Sequence, residues 1–307
     1  MPICRQQAKT GREEAPVSNR NEKTEADEAA AVSGVQEDRS AWLGQLHRSH
    51  LKRAKRIASA AASLQFIILA VFIVAWELAG RNRWVDPLLF SYPTKVARQL
   101  WTSMADGTVW PHIGVTVGET IVGFVLGTLF GTLLAALLWW VPFLSRVLDP
   151  YLVVLNSLPK VALGPLFIVL LGPGFLSIVA VTLSVTVIIT TLNIYNQFRE
   201  VDPGHIKVVK LFGASRYQLF RFVILPASFP VIISALKVNV GMAWVGVIVG
   251  EFLVAKSGLG YLIIYGFQVF NFTLVLSTLV VIAVVATIMY QLVAYLERKL
   301  TAGWKDR

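Results

Sequence analysis

Six stretches of predominantly apolar residues recur along the chain, at 57–78, 113–141, 151–171, 175–195, 229–250 and 274–296. A helix needs about 20 such residues to cross the hydrocarbon core of a bilayer. The pattern therefore predicts an all-α polytopic membrane protein with about six transmembrane helices. The third stretch is interrupted at Pro159 and again at Gly164-Pro165. Proline removes a backbone hydrogen bond, so a kink or a broken helix is expected there, either lining a pathway or simply packing. In the second stretch Gly123, Gly127 and Gly131 recur every four residues. They form a stripe on one helical face where another backbone can approach closely, and helix packing is the expected role.

The polar segments between these stretches set the organisation. Residues 1–41 carry six Lys/Arg, eight Asp/Glu and few large apolar groups, too little to offset the entropy of ordering, so a disordered tail is expected. Residues 42–63 form a basic juxtamembrane segment with Arg48, Lys52, Arg53, Lys55 and Arg56 and no acid. Such a cluster before an apolar run marks the cytoplasmic side of a membrane helix. It also fits a nucleic-acid patch, but the adjoining span argues against that, and no nucleic-acid partner is expected. The transmembrane domain is placed at 64–300 and a short cytoplasmic tail at 301–307. Arg199, Lys207, Lys210, Arg216 and Arg221 then lie inside together with Arg298, Lys299, Lys305 and Arg307, and both termini are expected to be cytoplasmic. Arg81, Arg83, Lys95 and Arg98 in the first connection mildly oppose that orientation.

Composition agrees with the pattern. The 307 residues are 55% hydrophobic and 15% charged, too apolar for a water-soluble enzyme. The net charge of +10 is concentrated beside apolar runs, as topology requires. The one cysteine, Cys4, excludes an intrachain disulfide. His47, His50, His112 and His205 are scattered, and no cluster has metal-ligand spacing, so no metal and no catalytic residue is expected. No Gly-x-x-x-x-Gly-Lys-Ser/Thr loop occurs to hold ATP phosphates.

Five charged side chains sit in or near the spans. Glu119 lies in the first third of the second span, and at that depth an acid faces a bundle interior, water or a partner, unless it reaches the headgroups. Glu77, Lys160, Lys237 and Glu251 lie nearer the span ends, where snorkelling is the cheaper reading. Glu119, Lys160, Lys237 and Glu251 are thus the candidate pathway or structural polar residues.

The connection before the fifth span is the most informative. Asp202-Pro203 is a helix start, Ile206, Val209 and Phe212 fall at helical spacing, and Gly213 can end the helix. A second amphipathic helix is expected from Ser215, until Leu225-Pro226 turns the chain into the fifth span. Two short basic helices at a glycine elbow suit a protein docking surface or an interfacial pair resting on lipid headgroups.

At these residues the chain resembles the membrane-spanning permeases of bacterial ABC importers, in particular the nitrate, sulfonate and taurine type. The family's loop motif is Glu-Ala-Ala, three residues, Gly, nine residues, Ile, one residue, Leu-Pro. Here Gly213 and Leu225-Pro226 keep the spacing, Val223 takes the Ile position, and Gly213-Ala214-Ser215 is similar to the type. Lys207-Val208-Val209 replaces Glu-Ala-Ala. Further matches are Trp76-Glu77-Leu78, Tyr92-Pro93-Thr94-Lys95-Val96, Pro165-Leu166-Phe167, Gly250-Glu251-Phe252 and Ser257-Gly258-Leu259-Gly260-Tyr261-Leu262-Ile263.

The resemblance implies a non-catalytic permease subunit in the bacterial cytoplasmic (inner) membrane. Two copies, expected as a homodimer among membrane lipid, would form the pathway. The partners implied are ABC ATPase subunits, which would use ATP and Mg, and an extracytoplasmic substrate-binding protein; no cofactor is expected on this chain. The ATPase-coupling loop would comprise Ile206, Lys207, Val208, Val209, Phe212, Gly213, Ala214, Ser215, Leu225 and Pro226. A small polar solute such as nitrate, a sulfonate or taurine would be the cargo. The competing readings are an ion-coupled secondary transporter or channel with Glu119 or Glu251 as relay, and a membrane anchor that only holds a partner.

Overall fold

The computed structural model describes residue 57, residues 59–61 and residues 63–305. The expectations for the tail 1–41, Cys4 and the basic residues 48–56 lie outside the described residues. The chain divides into two compact units, Met1–Ile73 and Val74–Arg307. Of the first, the described part is the start of a helix, α1 (Ser59–Arg81), whose last turns belong to the second unit.

The second unit is helical throughout its regular structure. After α1 come α2 (Pro87–Phe90), α3 (Pro93–Ala105), α4 (Val109–Trp140), α5 (Pro142–Ser157), a 3₁₀ turn (Lys160–Leu163), α6 (Gly164–Leu171) and α7 (Phe175–Glu200). They are followed by α8 (Pro203–Leu211), α9 (Arg216–Leu219), a π-helical segment (Phe220–Ile224), α10 (Leu225–Val254), α11 (Leu259–Gln268) and α12 (Phe272–Lys305). Among the described residues five helices are long and apolar enough to cross a membrane. A sixth crossing results when Pro142–Ser157 and Lys160–Leu171, bent by 93° at their break, are taken as one span. The break falls where the sequence places it. Leu158 is extended, as the residue before a proline must be, and Pro159 cannot continue the helix.

The centre of the unit is α7, held between α4 and α10. The glycine stripe of α4 explains the closeness of the first pairing. A Cβ on Gly123 would stand 3.1 Å from the Cβ of Thr182, and one on Gly127 2.6 Å from that of Thr186. On Gly131 it would stand 2.5 Å from the Cβ of Thr190. Two four-residue stripes therefore interlock, glycine on α4 and threonine on α7. Each threonine hydroxyl donates to the carbonyl four residues back, Thr182 to Ile178 and Thr186 to Thr182 at 2.9 Å and Thr190 to Thr186 at 2.6 Å. Thr182 and Thr190 set Cβ and methyl atoms into the grooves at Gly123 and Gly131, whereas at Gly127 the Thr186 hydroxyl is the nearest group. On the other side Gly246 of α10 meets the backbone of Thr182.

One amide links all three helices. Asn239 of α10 donates to the Thr128 hydroxyl at 2.9 Å, and its Oδ1 lies 2.9 Å from the Thr190 hydroxyl, sharing that group's one proton with the Thr186 carbonyl. Interhelical bonds of this kind contribute about 0.6 kcal/mol each in a membrane. From Val240 onward along α10, α11 and α12 close the unit around Val240, Trp244, Leu259 and Val281.

The fifth span differs from its expectation. Leu225-Pro226 does not turn the chain; the helix runs without a break from Arg216 to Val254. A proline inside a helix lacks its N–H and crowds the carbonyl four residues back. Here the widened π turn of Phe220–Ile224 immediately precedes Pro226 and accommodates it.

Candidate functional site

The connection between α7 and α10 is built by local rules. The Asp202 carboxylate caps α8 by accepting the Gly204 N–H at 2.8 Å, and Pro203 occupies the first turn, where no N–H is needed. The far end closes as a Schellman motif. Gly213 donates to the Lys210 carbonyl at 2.9 Å and Ala214 to the Val209 carbonyl at 3.4 Å, with Gly213 at φ +77°. A capping box follows at once. The Ser215 hydroxyl accepts from Gln218 N–H and the Gln218 side chain accepts from Ser215 N–H. The elbow is therefore a fixed turn between two capped helices.

The faces of α8 are divided. Ile206 and Val209 pack inward against the core of Leu138, Ile194, Phe198 and Leu219. Val208, Leu211 and Phe212 face outward, the last two 87% exposed. Lys207 and Lys210 are also exposed, as are Ser215 and Leu225, whereas Ala214 and Pro226 are half-buried. Val209 thus packs against the elbow from within. Phe220 of the π segment joins Trp139 at 4.9 Å, Phe198 at 5.6 Å and Trp140 at 5.8 Å between ring centres. These contacts bind the elbow to the ends of α4 and α7.

A second polar centre lies at the other end of α10. Glu251 and Glu119 are 1% and 5% exposed. Glu251 is no snorkelling residue, because the chain folds back over it. Its carboxylate accepts the Thr116 hydroxyl at 2.7 Å and the Gly260 N–H at 2.5 Å. The first turn of α11 thus directs the Gly260 N–H, a donor with no partner inside the helix, at the Glu251 carboxyl group. Gly258 and Gly260 are required for this approach, since a Cβ on Gly260 would lie 2.8 Å from Glu251 Oε2 and Gly258 has φ +114°. Gly258 donates to His112 Nδ1 at 3.0 Å and Leu259 to the Thr116 hydroxyl at 2.8 Å. Glu119 lies against Glu251, and its Oε2 has no hydrogen-bond partner.

The other candidates are dispersed. Glu77 is paired with Arg81 at 2.6 Å and accepts from Thr94, in the first turn of α3. Lys160 donates to the Asn156 carbonyl at 2.7 Å. Lys237 forms an ion pair with Glu297 of α12 at 2.8 Å. The glycine stripe lies in the α4–α7 contact.

Between α7 and α10 runs a polar groove of about 300 Å³ that the sequence reading did not single out. Asn193, Asn196, Gln197 and Glu200 line one wall and Ser234 contributes to the other. The signal was present, because positions 193, 196, 197 and 200 share one helical face. Such side chains are costly against lipid and belong on a protein-facing or water-filled surface.

A helical unit with this span count defines a polytopic membrane protein, with a capped basic elbow and a polar groove as its distinctive surfaces. Residues 127–302 match the family model described as the binding-protein-dependent transport system inner membrane component, and the chain belongs to that family. It is 31% identical to the riboflavin transport system permease protein RibX of Chloroflexus aurantiacus, over 76% of this chain and 87% of that one. It is 32% identical to the putative aliphatic sulfonates transport permease protein SsuC of Escherichia coli, over 63% and 74%. With the taurine transport system permease protein TauC of Escherichia coli it shares 25% identity over 76% and 86%. The fold matches a bacterial ABC transporter involved in alginate import, with TM-score 0.58, 14% identity and coverage of 81% and 98%. It also matches an amino acid ABC transporter, with TM-score 0.53, 20% identity and coverage of 65% and 96%. The chain is a membrane-spanning permease subunit of a binding-protein-dependent ABC importer.

Proposed function

We propose that two copies of this chain form the translocation pathway of an importer for a small polar solute of the sulfonate, taurine or nitrate class, and that α8 docks into a separate ATPase. Carrying this reading is one observation: Val208, Leu211 and Phe212 present an apolar edge from a helix fixed at both ends. A rigid exposed anchor loses little entropy on docking and suits a groove on a partner. The ATPase uses ATP and Mg, and this chain performs no chemistry. Its movement of α8 is passed to α10 and switches access to the pathway, while an extracytoplasmic binding protein delivers the solute. Both termini and α8 lie on the cytoplasmic side of the inner membrane. The Asn193–Asn196–Gln197 face of α7 meets the second copy and the solute, an arrangement supported by its amides being exposed on an apolar helix.

The cargo class is tested against the solutes for which relatives are named, among them sulfonates, taurine and riboflavin. Uptake into vesicles holding the permease, its cognate ATPase and binding protein, challenged with sulfonates, taurine, nitrate, riboflavin and pyrimidines, decides it. The expected result is ATP-dependent uptake of one class that is lost with Gly213→Trp. Flux that follows an ion gradient without the ATPase overturns the reading.

A further inference from the structure

A cleft of about 810 Å³ opens beside the elbow, between the start of α5, the end of α7 and α8. Its walls carry Arg146 of α5, Arg199 of α7, Lys210 of α8 and Arg216, against one acid, Asp149. Among the described residues none of these four cations is in a salt bridge. Two are held in place by aromatic rings on facing walls. The Arg216 guanidinium lies 5.6 Å from the Trp139 ring centre and donates to the Trp139 carbonyl at 3.3 Å. The Arg199 guanidinium lies 5.7 Å from the Tyr195 ring centre. The Tyr195 hydroxyl is fixed in turn by Ser145. Guanidinium groups stacked in this way keep their N–H edges free for an oxyanion.

The surroundings specify the anion further. From the mouth of the cleft, α5 presents an exposed apolar stripe of Phe143, Val147, Tyr151 and Val154. Phe143 stands one turn from Arg146, so four converging cations adjoin a surface made for hydrocarbon. An anion that satisfies both is amphipathic.

We propose that this cleft binds the phosphate headgroup of an anionic phospholipid, with the acyl chains lying along the exposed face of α5. The inference rests on the proposed placement of α8 at the cytoplasmic surface, where anionic headgroups lie, and is independent of ATPase docking. Because Lys210 and Arg216 flank the Gly213 elbow, a bound headgroup also braces that elbow against α5 and α7.

The test is native mass spectrometry of the full-length permease, alone and with its ATPase, titrated with dioleoylphosphatidylglycerol or dioleoylphosphatidylcholine. One tightly held phosphatidylglycerol per chain is expected, with phosphatidylcholine bound only weakly. R146A/R199A is expected to weaken phosphatidylglycerol binding about thirtyfold, since each surface cation contributes on the order of fivefold. Lys256→Ala, a cation outside the cleft, leaves it unchanged. R146Q/R199Q repeats the loss with longer side chains, and both double variants are checked for an unaltered thermal midpoint. Equal retention of the two lipids, or unaltered binding in the double variants, overturns the proposal. So does displacement of the lipid by millimolar glycerol phosphate, which marks a site for the free anion. Loss of ATPase association with lipid binding intact instead assigns the cleft to an acidic surface of the ATPase. Lipid binding and ATP-driven uptake are read separately, so failure of one does not imply failure of the other.

Discussion

The hydroxyl of Thr116 on α4 donates to Glu251 of α10 at 2.7 Å while accepting the Leu259 N–H at 2.8 Å. A single oxygen therefore connects the end of the long fifth-span helix, the start of α11 and the second span. All three groups are buried, so none has water as an alternative.

Thr116→Val removes that oxygen while keeping the shape. It leaves the Leu259 N–H and a Glu251 oxygen short of a partner, at a cost of about 1–3 kcal/mol for each unsatisfied group. We expect a lowered thermal midpoint of the purified permease and faster proteolysis in the 255–258 turn, both restored by Thr116→Ser. A valine variant as stable as the serine variant would show that the joint contributes nothing.

The stripe pairing predicts a swap. A methyl group on Gly127 collides with Thr186, so Gly127→Ala should cost about 1–3 kcal/mol through overpacking. Moving the small residue to the other helix, in Gly127→Ala with Thr186→Gly, should recover part of the loss, less the roughly 1 kcal/mol that glycine costs inside a helix. Thermal midpoints of the four proteins give the interaction directly. Strict additivity of the two changes contradicts the interlocking described here.

The division of α8 separates docking from folding. Phe212→Ala removes an exposed ring, so stability should stay within about 0.5 kcal/mol while permease-stimulated ATP hydrolysis and uptake fall severalfold. Val209→Ala removes an inward-packed group and should lower stability by about 1 kcal/mol or more, with hydrolysis per folded complex nearly retained. At Gly213 the limit is backbone strain alone, since nothing lies within 4 Å of an added Cβ. Asparagine should be tolerated there and valine should not. The opposite ranking of Phe212 and Val209 would place the docking face on the other side of the helix.

Lys237 is neutralised locally by Glu297. Lys237→Ala should therefore leave the concentration for half-maximal uptake of an anionic solute within about twofold, because a paired cation offers little net field. Lys237→Glu should destabilise the permease, and Lys237→Glu with Glu297→Lys should restore most of the loss. A large fall in anion uptake by the alanine variant, at unchanged stability, would instead put Lys237 in the pathway.

Much of this arrangement was readable from residue order. Apolar runs place the spans, Pro159 places the break, and Asp202-Pro203 and Gly213 mark both ends of α8, because these signals act within a few residues. The depth of Glu251 is not legible in this way, because it depends on residues 258–260 folding back over it, a contact that no local pattern encodes. The continuity through Pro226 was hidden for a related reason. Only the hydrogen-bond pattern of the preceding turn decides whether a proline ends a helix or is absorbed by it. Thr182, Thr186 and Thr190 read as polar interruptions of an apolar run until the facing glycines reveal their role. Asn193, Asn196 and Gln197 share a helical face by their spacing, but uncharged amides stand out less from an apolar run than the charged residues do.

The unbroken helix from Arg216 to Val254 has a mechanical consequence. Its 39 residues measure about 58 Å at 1.5 Å per residue, twice the hydrocarbon thickness of about 30 Å. The π turn and the prolines at 226 and 230 weaken the hydrogen-bond ladder only near the elbow, and the stretch beyond Pro230 is regular α-helix up to Val254. A pivot of about five degrees around its midpoint shifts each end by about 2.5 Å in opposite directions, close to the length of one hydrogen bond. The carboxylate clasp at Glu251 sits at the far tip, where the excursion is greatest. A small tilt of this helix therefore moves the Glu251 clasp by a distance comparable to the bonds that hold it.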